Sequence, residues 1–373
     1  MKRAKLIIAA SEASADMFYA TQFRAPDAFV YVEAGDRKAV LLSDLEVDRG
    51  RREAKVDDVV SYSEMEKTVQ GKKKQKPAYA KVVAAFLKKQ GAKHASVPTD
   101  FPLGLARALR KEKIRVRPAK AAFFPEREIK TAREIKAIEA ALRITEAGLA
   151  RGMAVLKEST IRKDGKLQWA RRVLTAELLR MEMEIAVVRA GGEARGDTIV
   201  ACGDLACDPH ERGRGALRAH ELIILDIFPR DARSGYFGDM TRTVVRGKAN
   251  DAQRKLWETC LKGQEHALQA MKPGAPGREI HEAIKSFFAE NGYPTEIKDG
   301  RWQGFFHGTG HGLGLEIHET PRFALTDFRV GQVITVEPGI YIPGIGGVRH
   351  EDVAAVTIKG CRVLSNFPKE LEI

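Results

Sequence analysis

The chain has 373 residues, 44% hydrophobic and 30% charged, a balance that excludes a disordered chain. Four cysteines (Cys202, Cys207, Cys260 and Cys361) are too few for a disulfide framework, and no run approaches the ~20 apolar residues of a membrane span. Lys and Arg exceed Asp and Glu by 13, unevenly: residues 1–125 carry 26 basic and 15 acidic side chains, residues 126–373 carry 37 and 35.

The basic first third raises a nucleic-acid-binding module as one hypothesis. The start, Met1-Lys2-Arg3-Ala4-Lys5 followed by Leu6-Ile7-Ile8-Ala9-Ala10, imitates a signal peptide. Its apolar core is shorter than the about 7–15 residues of a secretory leader and Glu12 interrupts it, so a first β-strand in a soluble, cytoplasmic chain is expected. Residues 29–33 and 39–42 flank Gly35 and read as a hairpin. Apolar residues at 79, 82, 83, 86 and 87 predict a helix over 78–90, and a helix over 103–109 with a strand at 114–116 completes an α/β domain. The charge run 71–77, ending in Pro77, reads as a solvated loop. Residues 118–125 read as a linker, which divides the chain into domains 1–125 and 126–373. In the second, helices are expected over 131–156, 167–179, 254–271 and 277–291, and strands over 222–228, 240–245, 333–337 and 348–357. Helix pairs alternating twice with strand pairs predict an α+β fold of two similar halves.

The chemistry-bearing residues sit at the ends of these strands. Asp226 ends an apolar run, where a carboxylate is costly unless paired or metal-bound. Asp239 follows thirteen residues on, after a connection containing Pro229 and Gly235 that suits neighbouring strands. Carboxylates brought together repel, and a cation between them resolves the repulsion. The block His307-Gly308-Thr309-Gly310-His311-Gly312-Leu313-Gly314-Leu315-Glu316-Ile317-His318 holds three histidines among glycines that allow close backbone approach. Glu337 ends another apolar strand, and Arg349 and Glu351, two apart, share a strand face. Asp226, Asp239, His311, Glu337 and Glu351 together are enough to hold two divalent metals, and such an oxygen-rich set favours Mn²⁺, Co²⁺, Fe²⁺ or Zn²⁺.

In these motifs the chain resembles the M24 metallopeptidases, the pita-bread family of Xaa-Pro aminopeptidase, prolidase, methionine aminopeptidase and creatinase. The resemblance rests on Asp226; Gly235-Tyr236 with Asp239-Met240-Thr241-Arg242-Thr243; His307 and His311; Glu337-Pro338-Gly339; and Arg349-His350-Glu351-Asp352, in that order. The stretches 16–21 and 123–130 fit a creatinase/prolidase-like N-terminal domain. The implied fold is an α/β N-terminal domain (1–125) plus an α+β pita-bread catalytic domain (126–373) with two similar halves around a curved, mainly antiparallel sheet. Carried over, Asp226 chelates one metal, Asp239 and Glu351 bridge the pair, and His311 and Glu337 hold the second. A bridging water or hydroxide attacks the scissile carbonyl, with Glu337 as proton shuttle. His210 stabilises the tetrahedral intermediate, His318 lines the proline-side pocket, and Arg349 meets the substrate carboxylate or supports the site.

The family resemblance implies hydrolysis of the Xaa-Pro bond with two divalent ions, Mn²⁺ foremost and Co²⁺, Zn²⁺ or Fe²⁺ as alternatives. A dipeptidase is favoured slightly over an aminopeptidase P, and a homodimer is expected, because a neighbouring subunit supplies the wall that excludes longer peptides. A non-catalytic protein that binds nucleic acid or protein is the competing class; the complete ligand set opposes it, so nucleic acid is disfavoured as a partner. Two departures stand out. The Asp226–Asp239 segment is two residues longer than usual near Arg230-Asp231, and His350 replaces an aliphatic residue and is expected to face away from the metals.

Overall fold

The computed structural model describes Arg3–Ile373 apart from Lys73, so Met1 and Lys2 of the leader-like start and one lysine of the 71–77 run lie outside the described residues. The chain divides into two compact units, Met1–Pro125 and Glu126–Ile373.

The first unit is built on strands β1 (Ala4–Ala9), β2 (Phe29–Ala34), β3 (Arg37–Leu42), β4 (Asp58–Ser61), β5 (His94–Val97) and β6 (Arg115–Pro118), in the spatial order β4-β3-β2-β1-β5-β6. The central three are antiparallel and the outer pairings are parallel. Helices α1 (Ala15–Thr21), α2 (Val47–Glu53), α3 (Tyr62–Gln70), α4 (Tyr79–Lys89) and α5 (Leu103–Lys111) cover it. Strand β2 shows why both faces are covered: Val30 and Val32 join the core under α4 and α5, whereas Phe29 and Tyr31 point to a second core with Met17, Phe23 and Phe124. The basic excess concentrates in residues 88–120, with ten Lys or Arg against Asp100 and Glu112.

The second unit opens with α6 (Ala132–Glu158), begun by a capping box in which Thr131 and Glu134 satisfy each other's backbone N–H groups. A small sheet of β7 (Thr160–Ile161), β8 (Leu167–Trp169) and β9 (Arg172–Val173) follows, then α7 (Ala176–Arg189). The helix expected over 167–179 is therefore a hairpin followed by a later helix. The chain reverses through Ala170 and Arg171, both left-handed at φ 48° and 62°, and neither residue type signals such a turn. Helices α6 and α7 approach closely because Gly148 and Gly152 lack side chains; a Cβ on Gly152 would sit 2.9 Å from the Met183 sulfur.

Next come β10 (Gly192–Glu193), β11 (Ile199–Cys202), β12 (Leu222–Ile227), β13 (Arg230–Asp231) and β14 (Met240–Val245), with β11-β12-β14 forming one antiparallel sheet. The second helix pair is α8 (Asp251–Ala270) and α9 (Gly277–Glu290). After it lie β15 (Glu296–Lys298), β16 (Arg301–Gln303), β17 (His311–Gly312), β18 (Glu319–Arg322), β19 (Val333–Val336), β20 (Gly339–Ile342), β21 (Gly346–Arg349), β22 (Asp352–Val356) and β23 (Cys361–Val363). The order β18-β17-β19-β22-β23 makes the second large sheet, and β20-β21 a two-stranded one. Trp257 and Leu256 of α8 and Ile284 and Phe288 of α9 share a core with Ile334, Val336, Val348 and Ala354. The single strand expected over 348–357 is two strands in different sheets. The break at His350-Glu351 occurs where Arg242 Nη1 donates to the Glu351 carbonyl at 2.7 Å, so a side chain takes the place of a ladder partner. No helix among the described residues is long and apolar enough to cross a membrane.

Candidate metal centre

The two large sheets place their acidic strand ends together. In the first, Asp226 of β12 lies opposite Thr241 of β14 and Ile199 of β11. Asp239 immediately precedes β14 and shares its face with Thr241, two residues on. In the second, His311 stands on β17, Glu337 follows β19 and Glu351 sits at the break between β21 and β22. Donor atoms of Asp239, His311 and Glu351 all lie within 4.8 Å of one another. His311 Nε2 is 3.3 Å from Glu337 Oε1 and 3.7 Å from Asp239 Oδ2. The longer 226–239 connection leaves the strand ends in place: β13 pairs with β10, and Gly238 N–H returns to the Pro229 carbonyl at 3.0 Å.

The donors fit cations and little else. Burial, and then the charges of Glu351, Asp226 and Glu337, push the Asp239 carboxyl well above the usual carboxylate range. Burial followed by Glu337 and Asp226 does the same to Glu351, and burial lifts Glu337 to about 7. The imidazole of His311 is held near 3 by burial, so it is neutral. Its Nδ1 faces the Gly312 carbonyl at 3.1 Å, an arrangement that assigns the proton to Nδ1 and leaves an Nε2 lone pair aimed at two carboxylates. Asp226 Oδ1 is buried without a hydrogen-bond partner. A lone pair facing carboxylate oxygens, with a further carboxylate oxygen unsatisfied, is the arrangement that one or two divalent cations would complete.

The surrounding side chains hold these donors still. Buried Arg349 donates from Nη2 to Asp226 Oδ2 at 2.6 Å, from Nη1 to the Tyr341 hydroxyl at 2.8 Å and from Nε to Thr241 Oγ1 at 3.3 Å. These three bonds tie Arg349 to acceptors on three different strands around the donor set. Thr241 Oγ1 donates to Glu351 Oε2 at 2.7 Å, so Arg349 and Glu351 do reach one group. Behind them Arg242 Nη2 pairs with Asp352 at 2.9 Å; burial opposes ionisation of Asp352, but Arg242 and Lys369 outweigh it and hold its carboxyl below the usual range. His350 turns the other way and packs edge-on against Trp257, with centroids 4.7 Å apart.

Three histidines flank the donor set. His318, exposed, packs edge-on against His311 at 4.4 Å. His210 is exposed on the loop after the turn Gly203–Cys207, near enough to His307 and His318 to disfavour their protonation. His307, pushed to about 3 by burial and by Arg349, pairs through Nε2 with the Tyr341 hydroxyl at 2.9 Å. Thr241 and Tyr341 were not singled out from the sequence. Thr241 was within reach, because it alternates with Asp239 on one strand; Tyr341 was not, because it meets Arg349 only across the β20-β21 hairpin.

Residues 136–358 match the model of metallopeptidase family M24, and residues 1–133 match that of the creatinase/prolidase N-terminal domain. The chain belongs to metallopeptidase family M24. Among M24 relatives it is 34% identical over 296 residues to the Xaa-Pro dipeptidase of Pyrococcus horikoshii, covering 76% of each chain. It is 36% identical over 256 residues to the Xaa-Pro dipeptidase of Pyrococcus furiosus, covering 66% of this chain and 65% of that one. The crystal structure of the prolidase from P. horikoshii superposes with a TM-score of 0.78 at 27% identity, covering 99% of this chain and 95% of that one. The two-unit architecture is thus the M24 pita-bread fold with a creatinase-like N-terminal domain, and the chain is a metal-dependent peptidase.

Proposed function

We propose that this M24 peptidase is an Xaa-Pro dipeptidase, with Asp226, Asp239, His311, Glu337 and Glu351 holding two divalent ions. The observation that carries the reading is the convergence of Asp239, His311 and Glu351 from the two halves of the fold within 4.8 Å. The similarity to two Pyrococcus proteins described as Xaa-Pro dipeptidases supports the dipeptide substrate. Mn²⁺ leads on an oxygen-rich donor set, with Co²⁺, Zn²⁺ and Fe²⁺ as alternatives.

Bound divalent cations supply Lewis acidity and lower the pKa of a coordinated water. The chain does the rest. Glu337 holds the proton released as water adds to the scissile carbonyl and returns it to the departing proline nitrogen. His210 hydrogen-bonds the developing oxyanion, and His318 lines the proline side. Arg349 is a positioning residue that acts through Asp226. Hydrolysis of dipeptides alone requires a wall against longer chains, and a second copy of the molecule supplies it in this reading; the setting is cytoplasmic.

The test strips the protein with chelator, restores Mn²⁺, Co²⁺ or Zn²⁺ separately, and assays Xaa-Pro dipeptides beside Xaa-Pro-Zaa tripeptides. Dipeptide cleavage restored by a metal is expected. Cleavage of tripeptides alone would move the activity to aminopeptidase P, and no cleavage of either would refute the reading.

A further inference from the structure

Ile297 and Trp302 are 61% and 54% exposed, although large apolar side chains are ordinarily buried. They face each other across the β15-β16 hairpin. Single exposed apolar residues need no explanation; a pair continuous with a functional site does. The hairpin turns through Asp299 and Gly300, both left-handed at φ 50° and 76°, a tight connection that makes it a firm finger. Both ends are anchored. Arg301 Nη1 pairs with Asp204 at 2.8 Å, on the turn that leads to His210. Gly304 and Tyr341 exchange backbone hydrogen bonds of 2.9 and 3.1 Å.

From this finger an aromatic wall runs inward. Trp302 lies against Phe306 with centroids 6.2 Å apart, Phe306 against Tyr341 at 5.3 Å, and the Tyr341 hydroxyl accepts from Arg349, which holds Asp226. Phe306 packs with Ile199, Ile224 and Tyr341, and Ile224 shares a strand face with Asp226. The exposed pair therefore lies on the Asp226 side of the centre, and His318, packed on His311, marks the other side.

We propose that Trp302 and Ile297 form the outer wall of the cleft that receives the residue preceding proline, and that they select apolar side chains such as leucine or phenylalanine. The proposal rests on the Xaa-Pro reading, in which His318 lines the proline side. Rigid aromatic area at a rim gains contact with a substrate side chain at little ordering cost.

The experiment compares kcat/KM for Leu-Pro and Gly-Pro in the wild type and in Trp302→Ala, Ile297→Ser and Trp302→Phe, with Ile358→Ser as an exposed control on another strand connection. The Leu-Pro to Gly-Pro ratio is expected to fall roughly tenfold in Trp302→Ala, the low end for lost apolar contact, and less in Trp302→Phe. Ratios equal to wild type in both Trp302→Ala and Ile297→Ser would overturn the proposal. Independently of turnover, tryptophan emission is followed while the uncleavable reduced-amide analogues of Leu-Pro and Gly-Pro are added. A response to the leucine analogue that is larger than to the glycine analogue and absent in Trp302→Phe is expected; equal responses, or a response surviving in Trp302→Phe, would count against it. If the wild type cleaves no Xaa-Pro dipeptide with any metal, the functional reading fails, and the emission titration still decides the wall. Loss of a dimer in Trp302→Ala by sedimentation would assign the pair to a subunit contact and overturn the proposal.

Discussion

Arg349 Nη2 meets Asp226 Oδ2 at 2.6 Å, joining β21 to β12 across 123 residues of sequence. The guanidinium takes one oxygen of the carboxylate and leaves Oδ1 buried without a partner. That division suits a metal ligand, because one oxygen fixes the orientation and the other remains free to coordinate.

Breaking this pair from one side should be costly. Arg349→Met leaves a buried carboxylate uncompensated and is expected to lower the stability of the metal-free protein by about 3–5 kcal/mol in urea unfolding. The double variant Arg349→Met with Asp226→Asn should recover most of that loss, since neither charge is then stranded. If the loss in the double variant equals the sum of those in Arg349→Met and in Asp226→Asn alone, the pair is not the coupled unit.

Asp239 behaves in the opposite way. Its carboxylate is crowded by Glu351, Asp226 and Glu337, so Asp239→Asn removes repulsion in the absence of metal. The metal-free variant is expected to melt no lower than wild type. Wild type should gain about 2.7 kcal/mol from a metal at a hundredfold excess over its Kd, and the variant much less. Thermal melts with chelator and with Mn²⁺ read both effects; an equal gain in the variant would remove Asp239 from the ligand set, as would full metal-dependent turnover.

The glycine-rich block should be intolerant at one position and tolerant two residues away. A Cβ on Gly310 would collide with the Thr335 carbonyl, whereas one on Gly308 meets nothing closer than the Gly310 nitrogen at 4.0 Å. Gly310→Ala is expected to cost about 1–3 kcal/mol and to displace His311, seen as a weakened Mn²⁺ affinity by calorimetry. Gly308→Ala should lie within about 0.5 kcal/mol of wild type. Equal effects would mean that backbone approach is not what the block requires.

The C-terminal segment should confer acid-sensitive stability. Glu372 accepts hydrogen bonds from Lys248, the Ala249 N–H and Arg254, which together bring its pKa from 4.5 to about 2. The folded value lies below the unfolded one, so the contribution is complete above about pH 4.5 and is lost as the pH falls through about 2. Glu372→Gln is therefore expected to flatten the stability curve over that window and to meet wild type at its acid end, in urea midpoints taken at successive pH values. Parallel curves would show that the carboxylate charge contributes nothing.

Much of the fold could be read along the chain. The helix at Ala132–Glu158 announces itself by apolar period and by Thr131-x-x-Glu134, and Met240–Val245 lies where its β-branched run places it. Periodicity failed at 167–179, because Leu167, Leu174 and Leu178 keep a helical spacing while the backbone turns at Ala170-Arg171. It failed again at 348–357, where the polar stretch Arg349–Asp352 spans the break and Arg242 takes the place of a ladder partner.

Residue order along the chain sets which atoms are available for chemistry. Carboxylates at the ends of apolar strands and a histidine among glycines are costly anywhere but in a site, and their order along the chain carries the M24 resemblance. What each of them meets is set by packing. That Arg349 reaches Asp226 and Tyr341, and that Trp302 lies against Phe306, depend on contacts between segments that no periodicity links. A side chain's identity sets which bonds it can make; only packing sets which partner comes within about 3 Å.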